Sequence, residues 1–367
     1  MRTLELTREQ EELRDAVRAV LARHPGHTAW APLTAQIGAA ALAVPEEYGG
    51  LGCGPAEVGV VMAELGRALS PVPYLGSAVL TVGALLASGD REACAIHLPH
   101  LAEGTVVGAL AWAETPGDPL ATGGGWEPAD LSARAEPAGP DWLLTGTKQY
   151  VLAGPAEPSL LLAFARMDGA PGAGAGRLGL FELTAAPAAF AVRSTMDRTR
   201  PLAELTLDRT PARLLSADGA GVLARVRDLA CTALAAEQAG AAARALEATV
   251  RYAKERVQFG RPIGSFQAVK HRLADLHTAV EGARSLALAA AAADAAPEPA
   301  AAAKSACSEA YAYVAGEMIQ LHGGIGITWE HEAHEYFKRA HGSALLFGSP
   351  AAHRERLAAR LGFLPAG

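Results

Sequence analysis

The 367 residues carry a net charge of −7; half are hydrophobic, 19% are charged and only 5% are aromatic. A chain this apolar folds rather than staying disordered, and its length fits two or three domains. No block of five or six basic residues marks a nucleic-acid partner, and no apolar run of about 18 residues is free of charge or Gly, so no membrane span is expected.

The opening segment, MRTLELTREQEELRDAV, lacks the apolar centre of a signal peptide. In residues 1–104 the pattern is helical. Thr7 is placed to cap a helix running to about Arg23, with Gln10 at the spacing of a capping box. Leu13, Val17, Val20 and Leu21 give that helix its apolar face. A second stretch covers Trp30 to Ile37. The Val44–Gly52 segment breaks the pattern, Pro55 starts another helix, and helix continues to about Leu101.

Residues 105–217 change character. Seven short apolar segments alternate with turn residues: Val106–Trp112, Leu131–Ala135, Trp142–Thr147, Leu160–Ala165, Leu178–Leu183, Phe190–Ser194 and Ala203–Leu207. This spacing predicts a small β-barrel or sandwich, with long loops at Thr115–Pro128 and Gly169–Gly176. Over residues 218–367 helices return, at Leu223–Val257, Phe266–Ala295, Ala300–Leu321, Ala333–Leu346 and Pro350–Leu361, with Pro297 and Pro299 marking the break between the second and third. The fold class is therefore α+β: a helical N-terminal domain, a middle β-domain and a helical C-terminal domain.

The four cysteines, Cys53, Cys94, Cys231 and Cys307, stand far apart with no CxxC, which speaks against a zinc site or a disulfide framework and for a reducing, cytoplasmic location. Glu330-His331-Glu332-Ala333-His334-Glu335 lacks the H-E-x-x-H spacing and is read as a helix start, so no metal site is assigned. Gly172–Arg177 lacks the closing Gly and following helix of a dinucleotide loop and is read as a flexible loop.

Two segments carry binding chemistry. Arg256-Val257-Gln258-Phe259-Gly260-Arg261-Pro262-Ile263, continuing through Phe266 and Gln267, joins two long helices by a short turn. An Arg and glutamines near helix ends suit a phosphate and a ribose, and Phe offers a stacking face. Gln320-Leu321-His322-Gly323-Gly324-Ile325-Gly326 puts a Gly pair at a helix end, where backbone approaches a ligand closely. The plainer reading of both is a helical hairpin with a Gly cap.

Together these segments resemble the acyl-CoA dehydrogenase family, in which R-x-x-F-G-x-x-x-x-x-F/H-Q precedes Q-x-x-G-G-x-G. Gln320 lies 53 residues after Gln267. Ala43–Gly52, Glu64-Leu65-Gly66-Arg67 and Leu144–Val151 extend the resemblance over nearly the whole chain, which looks like an actinobacterial-type member. The resemblance implies a middle β-barrel, a C-terminal four-helix bundle, FAD and a homo- or hetero-oligomer. It implies that Arg256, Gln258, Phe259, Phe266, Gln267, Gln320, Gly323 and Gly324 grip the ADP end of a neighbouring subunit's flavin, while the β-domain, here with Trp112 and Tyr150, holds the ring of its own. The implied substrate is an acyl-CoA or acyl-carrier-protein thioester from fatty acid or sterol side-chain metabolism, with electron-transfer flavoprotein as acceptor.

The departures concern catalysis. The family's base, a Glu of a Y-E-G-T-like segment, is matched by Phe347 within Leu345–Pro350. The alternative position used by some members, on the first long helix, is matched by Ala230, followed by Cys231. The T-E-P-x-A-G-S-D signature keeps only Glu114 and Pro116. Glu237, two turns beyond Ala230 on the same helix face and surrounded by alanines, is the best remaining acid; the alternative is a carboxylate paired with an Arg or exposed. Three functions stay open: a dehydrogenase using Glu237 as base, a non-catalytic subunit completing the flavin site of a Glu-bearing partner, and a same-fold flavin monooxygenase.

Overall fold

The computed structural model describes residues 5–115, 124–154, 157–168 and 176–363. Most of each of the two expected loops, residues 116–123 and 169–175, lies outside the described residues.

The chain begins with α1 (Arg8–Arg23), capped by Thr7, whose hydroxyl accepts from the Gln10 N–H while the Gln10 side chain accepts from the Thr7 N–H. Short α2 (Trp30–Ala35) and α3 (Pro55–Arg67) follow, then a π-helical turn over Leu75–Thr81 that runs into α4 (Val82–Ser88), and α5 (Arg91–Glu103). Among the described residues the middle of the chain holds seven strands: β1 (Gly108–Ala111), β2 (Arg134–Ala138), β3 (Asp141–Val151), β4 (Leu160–Met167), β5 (Arg177–Leu183), β6 (Ala189–Arg193) and β7 (Leu202–Ser216). Each overlaps one of the seven apolar segments. The order β4-β2-β3-β7-β5 closes because β5 also pairs with β4, with β1 and β6 added at the rim. A barrel is the result, and its inward side chains form a core of their own around Leu144, Phe181 and Leu205.

Then comes α6 (Gly219–Glu255), a 37-residue helix started by Asp218. A two-residue hairpin, β8 (Val257–Gln258) with β9 (Arg261–Pro262), connects it to α7 (Gln267–Ala292). The remaining helices are α8 (Pro297–His322), α9 (Ala333–Leu345) and α10 (Pro350–Arg360). α6, α7, α8 and α9 make the four-helix bundle, with α10 laid on α8. The break expected at Pro297 and Pro299 is there: α7 stops at Ala292 and Pro297 stands just past the gap. It opens α8, where its missing N–H would have had no partner.

α3 and α6 cross with backbones nearly touching. A Cβ on Gly240 would lie 2.1 Å from the Ala63 carbonyl oxygen, and one on Gly66 would lie 2.1 Å from that of Glu237. Only Gly permits this approach. It fuses the N-terminal helices and the bundle into one apolar core that includes Leu65, Leu223, Leu234 and Phe347.

Candidate functional site

The turn after α6 is a tight hairpin. Phe259 and Gly260 both have positive φ, +52° and +76°, the signature of a type I′ connection. A phenylalanine in the left-handed region is strained and needs a reason. Here the conformation throws the ring outward: Phe259 is 91% exposed and lies T-shaped to Phe266, whose ring also carries the Arg261 guanidinium at 4.1 Å. Arg256, Gln258 and Gln267 are exposed. α8 ends at His322, and Gly323 turns the chain at φ +64°. Tyr252 binds the two segments together: its ring stacks on His322 at 4.3 Å and its hydroxyl donates to the His322 carbonyl. Exposed Gln320, Gly323 and Gly324 therefore stand beside the hairpin. The structure brings both motifs to one surface and leaves their polar groups facing solvent.

The wall expected to hold a flavin ring looks different. Trp112 is buried and stacks on Phe347 at 5.5 Å with planes 22° apart. Trp126 meets Trp112 edge-on at 5.3 Å, meets Phe347 at 5.0 Å, and stacks on Tyr150 at 5.8 Å. The Trp112 Nε1–H donates to the Trp126 carbonyl. Four aromatic side chains thus close on one another between barrel and bundle. Trp112 is enclosed by this cluster, whereas Tyr150 keeps a half-exposed ring, at φ +56°. Phe347 also has positive φ, +62°, and its carbonyl accepts from or faces His353 Nε2 at 3.0 Å. Lys304 holds the same turn from behind, donating to the carbonyls of Ala344 and Gly348.

Glu237 is buried, as expected, but it is already engaged. Both its oxygens accept from the Arg200 guanidinium, and Oε1 accepts from Arg339 Nε at 3.0 Å. Arg339 also reaches Asp197 at 3.5 Å, Thr199 at 3.1 Å and the Ser70 carbonyl at 3.1 Å. Two guanidiniums and two carboxylates form a neutral buried group joining barrel to bundle. Both carboxylate oxygens of Glu237 are thus taken up by guanidinium donors that tie the barrel to the bundle.

Two further groups carry charge or sulfur. Glu114 sits 2.5 Å from Lys148 Nζ and accepts from the Ser132 and Ala133 N–H groups. Burial pushes its carboxyl up, but the Lys148 charge and these donors outweigh that and hold it below the usual carboxylate range. The pair fastens the segment after β1 to β3; the sequence signal was the surviving Glu of the eroded signature. Cys231, beside the alternative base position, lies 3.6 Å from His353 Nε2. Burial pushes its thiol up to about 11, and burial together with the Lys304 charge pushes His353 down to about 3. Both are neutral at pH 7, so no thiolate nucleophile forms.

The hairpin and Gly turn present exposed polar side chains, an exposed ring and open backbone, chemistry that suits an ADP moiety.

Family models place an acyl-CoA dehydrogenase N-terminal domain over residues 7–105 and the C-terminal domain over residues 218–362. The chain is 39% identical to acyl-CoA dehydrogenase IpdE2 of Mycobacterium tuberculosis, over 95% of this chain and 96% of that protein. Among solved structures, it superposes on a chain of the ChsE4–ChsE5 complex from Mycobacterium tuberculosis with TM-score 0.86 and 28% identity, covering 99% of this chain and 100% of the other. A glutaryl-coenzyme A dehydrogenase in complex with glutaryl-CoA gives TM-score 0.85 and 25% identity, covering 99% and 97%. With both helical domains matched and a relative aligned almost end to end, the chain belongs to the acyl-CoA dehydrogenase family, FAD-dependent oxidoreductases acting on the CH–CH bond of acyl thioesters.

Proposed function

We propose that this chain is the flavin-gripping subunit of a heteromeric acyl-CoA dehydrogenase, and that a homologous partner supplies the proton-abstracting carboxylate. The observation that carries this is Phe347. At the position matched to the family's base it presents a ring packed against Trp112 and Trp126, while Glu237, the acid that the sequence left as candidate base, is held by Arg200 and Arg339. The exposed Phe259, Ile327 and Trp329 around the hairpin and Gly turn support a subunit contact there, and one fold neighbour is itself part of a two-protein complex.

Bound FAD supplies the hydride acceptor. This chain's part is positional. Arg256 offers charge-assisted donors to a pyrophosphate oxygen. Gln258, Gln267 and Gln320 offer amides to ribose and phosphate. Phe259 covers an adenine face, packed against Phe266 and held out by its turn. Gly323 and Gly324 let backbone N–H groups approach the same anion. The substrate is an acyl thioester, on CoA or a carrier protein, bound on the partner's side, with electron-transfer flavoprotein as acceptor and the cytoplasm as location. Among the described residues no helix is long and apolar enough to cross a membrane. The monooxygenase reading has no observation in its favour, since the relatives carry dehydrogenase names.

The test is Arg256→Ala in the chain co-purified with a Glu-bearing homologue. Loss of one charge-assisted contact weakens FAD retention by about 1.5–3 kcal/mol. Unchanged retention in the complex would remove the hairpin from the cofactor site.

A further inference from the structure

His322 closes α8 at the point where the Gly turn begins, and it is only 4% exposed. Two rings pack on its imidazole: Tyr252 of α6 stacks at 4.3 Å, and His331 lies tilted at 4.4 Å. His331 is itself anchored at the start of α9, where its Nδ1 accepts from the Ala333 N–H at 3.1 Å. The turn over Gly323–Ile327 folds back on the same residue, so that a Cβ on Gly326 would stand 3.2 Å from the His322 Cβ. Displacing His322 therefore displaces the turn.

The partners of His322 also fix its proton. Nδ1 faces the Met318 carbonyl at 2.7 Å, and a carbonyl only accepts, so Nδ1 carries the hydrogen. Nε2 then holds the lone pair, buried and without a hydrogen-bond partner among the described residues. A second proton would sit on that sealed nitrogen with no acceptor, and a buried unpaired charge is costly. The titratable groups around the ring are Tyr252 on α6, and His331 and Glu332 just before α9; Arg244 of α6 pairs with Glu332 at 3.0 Å. Burial is the largest influence on the imidazole. With His331 beside it, burial outweighs the Met318 carbonyl and the Glu332 charge and holds His322 below its usual value.

We propose that His322 is the positioning residue of the Gly turn: neutral and packed, it holds Gly323 and Gly324 against the ADP end of FAD, and on gaining a proton it leaves its stack and frees them. This rests on the reading that the turn grips flavin. The sign follows from the two forms. The packed ring is neutral, whereas a displaced ring in water takes its proton near the ordinary histidine value of about 6.5. Displacement is favoured as pH falls below that value, and FAD release through it quickens by up to about tenfold per pH unit. Above it this group adds no pH dependence.

The experiment follows FAD release by flavin fluorescence after dilution of the chain in complex with its Glu-bearing homologue, from pH 8 down to pH 5. The parent's release quickens below about pH 6.5. His322→Phe keeps a ring on Tyr252 and takes no proton, so its rate is flat over the same range. His322→Ala loses the ring and releases FAD faster than His322→Phe at every pH. A second readout needs no flavin: in the free chain with nitrogen-15-labelled histidine, the NMR signal missing from His322→Phe reports an Nδ1–H imidazole at pH 7 that titrates below about 6.5. A parent profile that is flat to pH 5, a His322→Phe profile with the parent's slope, or an Nε2–H imidazole overturns the proposal. Should the melting curve show His322→Phe unfolded, His322→Gln takes its place. Arg256→Ala raises the release rate without changing its slope with pH. A rate in Arg256→Ala equal to the parent's sinks the flavin-gripping reading, whereas an accelerated Arg256→Ala with a flat parent profile sinks this proposal alone.

Discussion

Replacing Glu237 by Gln removes one negative charge from a buried group of four ionised side chains and leaves Arg200 and Arg339 facing Asp197 alone. Arg200, Glu237, Asp197 and Arg339 are all less than 9% exposed, so water cannot compensate. Breaking a buried pair by deleting one partner costs about 3–5 kcal/mol, because a charge is left uncompensated. For a chain of this size that lowers the melting temperature by roughly 5 °C. Circular dichroism melts of parent and variant measure it directly, and Arg339→Met combined with Glu237→Gln restores part of the loss by removing the surplus cation. The same variant, assembled with a Glu-bearing partner below its melting temperature, turns over acyl-CoA at the parent's rate. A variant that melts within about a degree of the parent, yet loses at least about 10²-fold in flavin reduction, would show that Glu237 is a base and refute the structural assignment.

Other consequences follow from particular residues. His353 has its imidazole pushed down to about 3 by burial and the Lys304 charge, so the unfolded chain binds more protons below about pH 6.5. Stability from this group is whole above that pH and is lost as pH falls toward 3, about 2 kcal/mol of it between pH 7 and pH 5; His353→Gln should flatten that part of a pH-dependent urea titration, and an unchanged slope would contradict the assignment. Gly240→Ala drives a methyl group to 2.1 Å from the Ala63 carbonyl and should cost about 3 kcal/mol in chemical denaturation, whereas a change under about 0.5 kcal/mol would mean the helices are not in contact. Phe347→Ala empties the centre of the aromatic cluster and should cost about 3–5 kcal/mol, with a red shift in the emission of Trp112 and Trp126; a stable variant with unaltered emission would place Phe347 outside the cluster.

Much of the fold was legible because it rests on local rules. Thr7 with Gln10 is a capping box on sight and in space, and seven apolar segments between Gly and Pro breaks became seven strands. β7, Leu202–Ser216, runs nine residues past the apolar stretch that announced it. Its continuation carries polar residues, and only pairing with β3 and β5 makes it a strand. The hairpin after α6 was legible as a binding motif, whereas the strain at Phe259 was not, because no local pattern predicts a positive φ for an aromatic residue. Least legible was the chemistry of Glu237. Its alanine neighbours announce burial, but the cations that claim it come from Arg200, on the barrel side, and Arg339, on α9. Nothing in their spacing along the chain brings them together. The same holds for Trp112, Trp126, Tyr150 and Phe347, which meet only in the folded molecule.

The central claim is that this chain grips a flavin whose ring and catalytic carboxylate belong to a partner. Flavin stoichiometry tests it most directly. The chain is expressed alone and with a Glu-bearing homologue, and FAD is quantified by absorbance after denaturation against protein mass. The account predicts a colourless chain alone and one FAD per heterodimer in the complex, lost when Arg256 is replaced by Ala. A chain that purifies alone with one FAD per protomer, and bleaches it rapidly on adding an acyl-CoA, would contradict the account.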